Sequence, residues 1–245
     1  MAKFWNWAKN EETGERTLRL EGIIFGDDFW ADIFGGATAK QFRAELNSGE
    51  GDISVWINSG GGDVFAAAEI YNMLKEYGNT RGLITVKIDA IAASAASVIA
   101  MAGDVVEISP VGMMMIHNPW TSAEGDSAEM KTAARMLDEV KESIINAYEI
   151  KTKLPRDKIS RLMDAETHMN AHKAVDLKFA DKIISDDSDE NQSKAALAFS
   201  RQTVMNCMKD AIKTKLAAEK KAVPDNRVDA AQLYKRQNLL ERWRS

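Results

Sequence analysis

The feature that most constrains this chain is an alternating run that ends in three glycines and restarts as a helix. Within Asp52 to Asn58, the apolar Ile53, Val55 and Ile57 alternate with Ser54 and Trp56, the period of a half-buried strand. Ser59-Gly60-Gly61-Gly62-Asp63 follows at once. A helical pattern then runs to about Tyr77, with Gly78 expected to stop it. Leu83 to Ile91 reads as another strand, and Ala92 to Ala102 as a small-residue helix ending at Gly103, with no internal repeat in the sequence. Thr17 to Phe25 reads as an earlier strand and Thr38 to Leu46 as a helix. Val105 to Ser109 and Gly112 to His117 read as two short strands. Strands alternating with helices predict an α/β fold with a largely parallel sheet.

The second half is dominated by one long helix, Gly125 to Lys153. Met130, Ala133, Ala134, Leu137, Val140, Ile144 and Tyr148 form an apolar stripe at spacings of 3 and 4. Pro155 ends it. Arg156 to Met163 and Ala171 to Phe179 read as shorter helices, and Lys182 to Ile184 as a last strand. Ser185 to Ser193 is a run of Asp, Ser, Glu, Asn and Gln, the composition of a linker. Beyond it the chain is helix-prone again, with a break at Pro224. The expected organisation is an N-terminal segment (1–14), an α/β domain (15–185), an acidic polar linker (186–193) and a basic, helix-prone extension (194–245).

Charge separates these parts. Residues 191–245 carry 12 Lys+Arg against 5 Asp+Glu, although the whole chain has net charge −5. The basic residues are diluted by Ala, Asp and Glu and no aromatic ladder interleaves them, so a solvated helical tail is favoured over nucleic-acid binding. No apolar run approaches the ~20 residues of a membrane helix. The first ten residues lack the apolar core of a secretion signal. Cys207 is the only cysteine, which excludes an internal disulfide and suits a reducing cytoplasm.

Four constellations could carry chemistry. The glycine triplet can be a tight turn, a phosphate cradle or an oxyanion hole; Asp63, where a phosphate loop would want Lys, speaks against phosphate. In Ala92-Ala93-Ser94-Ala95-Ala96-Ser97, Ser94 stands where a strand enters a helix. It reads evenly as a helix cap or as a nucleophile with room for a carbonyl beside it. His117 closes the apolar strand Met113-Met114-Met115-Ile116. It is a core histidine or a general base. His168 and His172 are four apart on an expected helix, a spacing that could hold a metal, but no third ligand is evident and surface packing is preferred. Asp164 and Glu166 could orient the base, or could cap a helix.

Taken in order, these segments resemble the proteolytic subunit of the Clp protease. Asn58-Ser59-Gly60-Gly61-Gly62-Asp63-Val64 is similar to that family's Asn-Ser-Pro-Gly-Gly-Ser-Val, departing at Gly60 and Asp63. Ala92-Ala93-Ser94 keeps the Ala-Ala-Ser of its nucleophile motif, and Met115-Ile116-His117-Asn118-Pro119 resembles its Met-Ile-His-Gln-Pro. The resemblance covers roughly residues 15–185. It implies a Clp/crotonase-like α/β fold, a superhelix of repeated β-β-α units, with the long helix as the handle that mediates contact between rings. It also implies Ser94 as nucleophile, His117 as base, and oxyanion donors from the N–H groups of Gly61 and Ala95, with Gly62 beside them in the substrate site. No metal or cofactor is implied.

The family has Asp at the third triad position. Here the alignment places Glu166 there, with Asp164 as the alternative. A Glu-Thr before the closing helix, a short N-terminal segment and the foreign basic extension look like the head maturation proteases of tailed phages and prophages. The partners so implied are polypeptides, namely capsid or scaffold proteins, and further copies of the chain in a homo-oligomeric ring, single or stacked. Location would be the host cytoplasm or an assembling prohead. Three alternatives stay open: a housekeeping Clp subunit working with an ATPase, an acyl-CoA hydratase or isomerase of the same superfamily, and an inactive capsid-assembly protein on the same fold.

Overall fold

Strands β3 (Ile53–Gly62) and β4 (Ile84–Ala93) are the central pair of the sheet. They run parallel, with Val55 beside Val86 and Ile57 beside Ile88. The computed structural model describes residues 4–9, 16–25 and 39–184. The chain divides into two compact units, Met1–Val204 and Met205–Ser245, and every described residue lies in the first. The linker and basic extension expected from residue 186 onward fall outside the described residues.

Ile53, Val55, Ile57, Ile84, Val86 and Ile88 are all buried, as the period of two requires of one sheet face. On the other face Trp56 lies between Arg19 and Lys87, each cation within 5.4 Å of a ring centroid. β2 (Arg16–Ile24) runs parallel to β3, and β1 (Trp5–Lys9) is antiparallel at the edge. β5 (Val105–Ile108) and β8 (Lys182–Ile183) extend the other side, for an order of β1-β2-β3-β4-β5-β8.

β4 forks. Its first half, Thr85–Ile88, pairs with β5. Its last three residues, Ile91–Ala93, pair with β6 (Met113–Ile116), which carries β7 (Thr167–Asn170) antiparallel on its far side. Six helices complete the described part: α1 (Ala39–Leu46), α2 (Val64–Thr80), α3 (Ala95–Ala100), α4 (Ser127–Thr152), α5 (Arg156–Asp164) and α6 (Ala171–Asp176).

The alternation of strands and helices is as expected, but several boundaries differ for physical reasons. The glycines do not form a loop. They continue β3 to Gly62, and Asp63 caps α2 by accepting the Ala66 N–H at 2.7 Å. Gly78 does not stop α2, which continues to Thr80. Ala92 and Ala93 finish β4, so the small-residue helix begins only at Ala95.

Two strands were not foreseen. β1 is held by Trp5, which packs edge-on against Phe4 and Phe42 and donates its indole N–H to Glu45 at 2.7 Å. β7 is a polar tetrapeptide made a strand by pairing with β6, so tertiary contact overrides local pattern. His168 therefore lies on a strand and His172 in α6, not together on one helix. No group of three potential metal ligands occurs among the described residues. No helix among them is long and apolar enough to cross a membrane.

α4 carries a full capping box, Asp126 with Glu129, and ends at Lys153 in the left-handed conformation. Its apolar stripe is buried only in the C-terminal half, at Ile144, Ile145, Ala147 and Tyr148. Met130 and Met136 in the first half stand exposed.

Candidate active site

The carboxyl ends of β3, β4 and β6 converge, the edge where parallel sheets hold ligands. β4 ends at Ala93 and hands the chain to Ser94. The Ser94 N–H donates to Met115 O of β6 at 2.8 Å, which ties the turn to its neighbour. Ser94 adopts φ 54° and ψ −126°, a region that side chains rarely occupy and that costs on the order of 1–3 kcal/mol. Strain of this kind persists only where the surroundings over-determine it.

Those surroundings decide between the two readings of Ser94. It precedes α3 in the cap position, yet its side chain makes no capping hydrogen bond. Its Oγ instead lies 2.7 Å from Nε2 of His117. His117 is buried and follows directly on β6, so the register of Ala93 against Met115 delivers both residues to the same edge. A hydroxyl within hydrogen-bond reach of an imidazole nitrogen is the arrangement of an activated nucleophile and its base.

The glycine turn supplies space. Gly61 has φ 100°, and a Cβ there would come within 2.8 Å of Ser94 Cβ and of Ala93 O, and 3.0 Å from Ala95 N. Only glycine lets β3 pass so close to Ser94. The Gly61 N–H donates to Ser59 Oγ at 3.1 Å, and Ser59 in turn donates to Gly22 O at 2.6 Å. Gly62 has φ 151°, and a Cβ on it would fall on the Ile24 carbonyl oxygen.

The two candidate carboxylates are held differently. Asp164, at the end of α5, is half exposed. It accepts from Lys141 Nζ at 2.6 Å and from Asn118 Nδ2 at 2.9 Å. The Lys141 hydrogen bond, with that of Asn118 behind it, holds its carboxyl below the usual range. Glu166 is half-buried, has φ 46°, and immediately precedes β7. Thr167 pairs with Ile116 at the end of the β6–β7 ladder, and Glu166 and His117 are the residues next beyond that pair on their two segments.

Two contributors were not foreseen. Ser97 is fully buried, donates its hydroxyl to Ser94 O at 2.6 Å, and meets Tyr148 Oη at 2.8 Å. Its hydroxyl is thereby engaged and does not compete with Ser94. The i, i+3 spacing from Ser94 was a signal for the first contact. Nothing in the sequence pointed to the second, 51 residues away.

These features define a class: an α/β protein whose forked parallel sheet presents a hydroxyl–imidazole pair at its carboxyl edge. The family model described as Clp protease matches residues 10–187, and this chain belongs to that family. It is 30% identical over 173 residues, 68% of this chain and 75% of the relative, to the ATP-dependent Clp protease proteolytic subunit of Porphyromonas gingivalis. To the same-named protein of Deinococcus radiodurans it is 25% identical over 179 residues, 72% of this chain and 86% of the relative. Among solved structures, a ClpP1 point mutant from Listeria monocytogenes superposes with a TM-score of 0.58 at 23% identity. The match covers 70% of this chain and 92% of that one, and it shows the shared fold. The Clp/crotonase-like architecture expected from the sequence is thus the observed one.

Proposed function

We propose that this protein is a serine endopeptidase acting through an acyl-enzyme on Ser94. The observation that carries the reading is the 2.7 Å contact between Ser94 Oγ and His117 Nε2, made by a serine that forgoes capping its own helix. Ser94 Oγ attacks the peptide carbonyl while its proton passes to His117 Nε2. Collapse of the tetrahedral intermediate expels the amine, which takes that proton. Water then attacks the ester with His117 again as base; the acyl–Oγ bond breaks, and Ser94 Oγ takes the proton back from His117.

In the tautomer that accepts at Nε2, the hydrogen sits on Nδ1, where a carboxylate would steady it. We assign Glu166 as that carboxylate, since it and His117 are the residues next beyond the paired Ile116 and Thr167. Asp164, already shared between Lys141 and Asn118, is the weaker candidate. The oxyanion is assigned to the N–H of Ala95 and to the glycine turn. The Gly61 N–H already has Ser59 as acceptor, so its use requires sharing, and Gly62 is the adjoining residue of the site.

The substrates we propose are capsid or scaffold polypeptides, processed in phage head maturation. The Glu at the third position and the basic extension support this branch. The exposed first half of α4, with Met130 and Met136, suits ring-to-ring contact between copies. The alternative, a subunit that works with an ATPase, is favoured by the names of the two curated relatives.

Labelling with a fluorophosphonate tests the chemistry. Wild type is expected to react at one serine, Ser97→Ala to react more slowly but at that same serine, and Ser94→Ala to lose the reaction. Undiminished labelling of Ser94→Ala would overturn the mechanism.

A further inference from the structure

We propose that Tyr148 and Ser97 form a hydroxyl relay that fixes the Ser94–Ala95 peptide plane, and so aims the Ala95 N–H at the reacting oxygen. The inference rests on Ser94 being the nucleophile. It adds two positioning residues, Ser97 three residues after the nucleophile and Tyr148 from α4.

The direction of the relay follows from counting hydrogens. A carbonyl oxygen only accepts, so the 2.6 Å contact from Ser97 Oγ to Ser94 O uses the single hydroxyl hydrogen of Ser97. The 2.8 Å contact with Tyr148 must then be donated by Tyr148. The chain reads Tyr148 O–H to Ser97 Oγ, and Ser97 O–H to Ser94 O. Burial pushes the Tyr148 phenol above its ordinary value, with the Ser97 bond acting the other way, so it keeps its hydrogen at working pH. Tyr148 itself is fully buried and held edge-on against Phe179, ring centroids 5.4 Å apart.

The effect on the site follows from the planarity of the peptide bond. In a trans peptide, the C=O of one residue and the N–H of the next point in opposite directions within one plane. Ser94 O receives the Ser97 hydroxyl and also the Ser97 N–H at 3.0 Å. With two donors holding its oxygen end, the plane cannot turn, although Ser94 sits in a strained φ/ψ region with other conformations open to it. Its nitrogen end, Ala95 N, lies beside Gly61, which has no Cβ. A side chain there would stand 3.0 Å from that nitrogen. Donors held in advance at the position of developing negative charge are worth most in catalysis.

The test compares two reagents on the full-length protein: a fluorophosphonate and its thiophosphoryl counterpart. With either, the Ser94 Oγ–P bond forms, the P–F bond breaks, fluoride leaves, and the hydroxyl proton passes to His117 Nε2. Only the P=O reagent offers a strong acceptor to Ala95 N–H; sulfur accepts weakly. Removing a whole oxyanion donor costs about 10²–10³-fold, so misaiming one is expected to cost roughly 10–100-fold. Ser97→Ala should slow the P=O reagent by that factor and the P=S reagent by less than about 3-fold, collapsing the ratio between them. Tyr148→Phe should move the ratio the same way, less far, and the double variant should match Ser97→Ala alone.

An unchanged ratio in a Ser97→Ala protein that melts normally overturns the relay, as does equal slowing of both reagents. If Ser97→Ala does not fold, Tyr148→Phe decides by the same ratio. Failure of wild type to react at Ser94 would overturn the nucleophile assignment itself. A normal wild type with an unmoved ratio sinks the relay alone.

Discussion

The two halves of the proposed triad are built on different principles. Ser94 and His117 stand at the ends of adjacent parallel strands, and the Ala93–Met115 register fixes their separation before any side chain is chosen. The carboxylate side has no such frame. Asp164 ends a helix and points into a surface network, while Glu166 sits in a left-handed turn just ahead of a four-residue strand. A ladder of backbone hydrogen bonds places a residue to within a fraction of an ångström. A turn places it only as well as its neighbours hold it.

Breaking the framed half should have the largest effect. His117→Ala is expected to lower kcat by about 10⁴–10⁶-fold with the fold intact, since a nucleophile and its base act as one unit. Peptidase assays paired with thermal melting would check it. A loss under tenfold would mean that Ser94 is activated by another group.

The looser half separates into two unequal carboxylates. Glu166→Gln should lower kcat by about 10²–10⁴-fold with little change in KM, because the amide cannot stabilise the imidazolium as a carboxylate does. Asp164→Asn should cost less than about threefold in the same assay, the scale of a surface contact. A reversed order would hand the third position to Asp164.

The smallest effect is a pH dependence of stability. Asp164 has a depressed value when folded, so its contribution is present above its unfolded value near 4 and fades as pH falls through the folded one. The Asp164→Asn variant should therefore melt slightly below wild type at pH 7, within about 2 °C. The two should converge once the pH has fallen below that folded value. Melting curves across that range would show it, and a gap that widens in acid would contradict the assignment.

Much of the framed half was legible in the sequence. The alternation at Ile53, Val55 and Ile57 and the small residues around Ser94 are local signals, and local signals suffice where a strand delivers a residue to its place. The rest depended on contacts between distant segments. Thr167–Asn170 has no strand pattern of its own and becomes β7 by pairing with β6. Ser97 reads as an ordinary helical serine until Tyr148 arrives from α4. The glycine triplet was legible as a close approach but not as an extension of β3, because glycine has no side chain with which to show alternation.

That close approach has a genetic consequence. Any single-base change in a glycine codon that is not silent either ends the chain or adds a Cβ. At position 61 a Cβ would press on Ser94 Cβ and the Ala93 carbonyl, and at 62 it would fall on the Ile24 carbonyl. Both backbones are also in conformations that favour glycine. In a deep mutational library these two codons should accept third-base synonyms and little else, so the gene can drift there without the protein following.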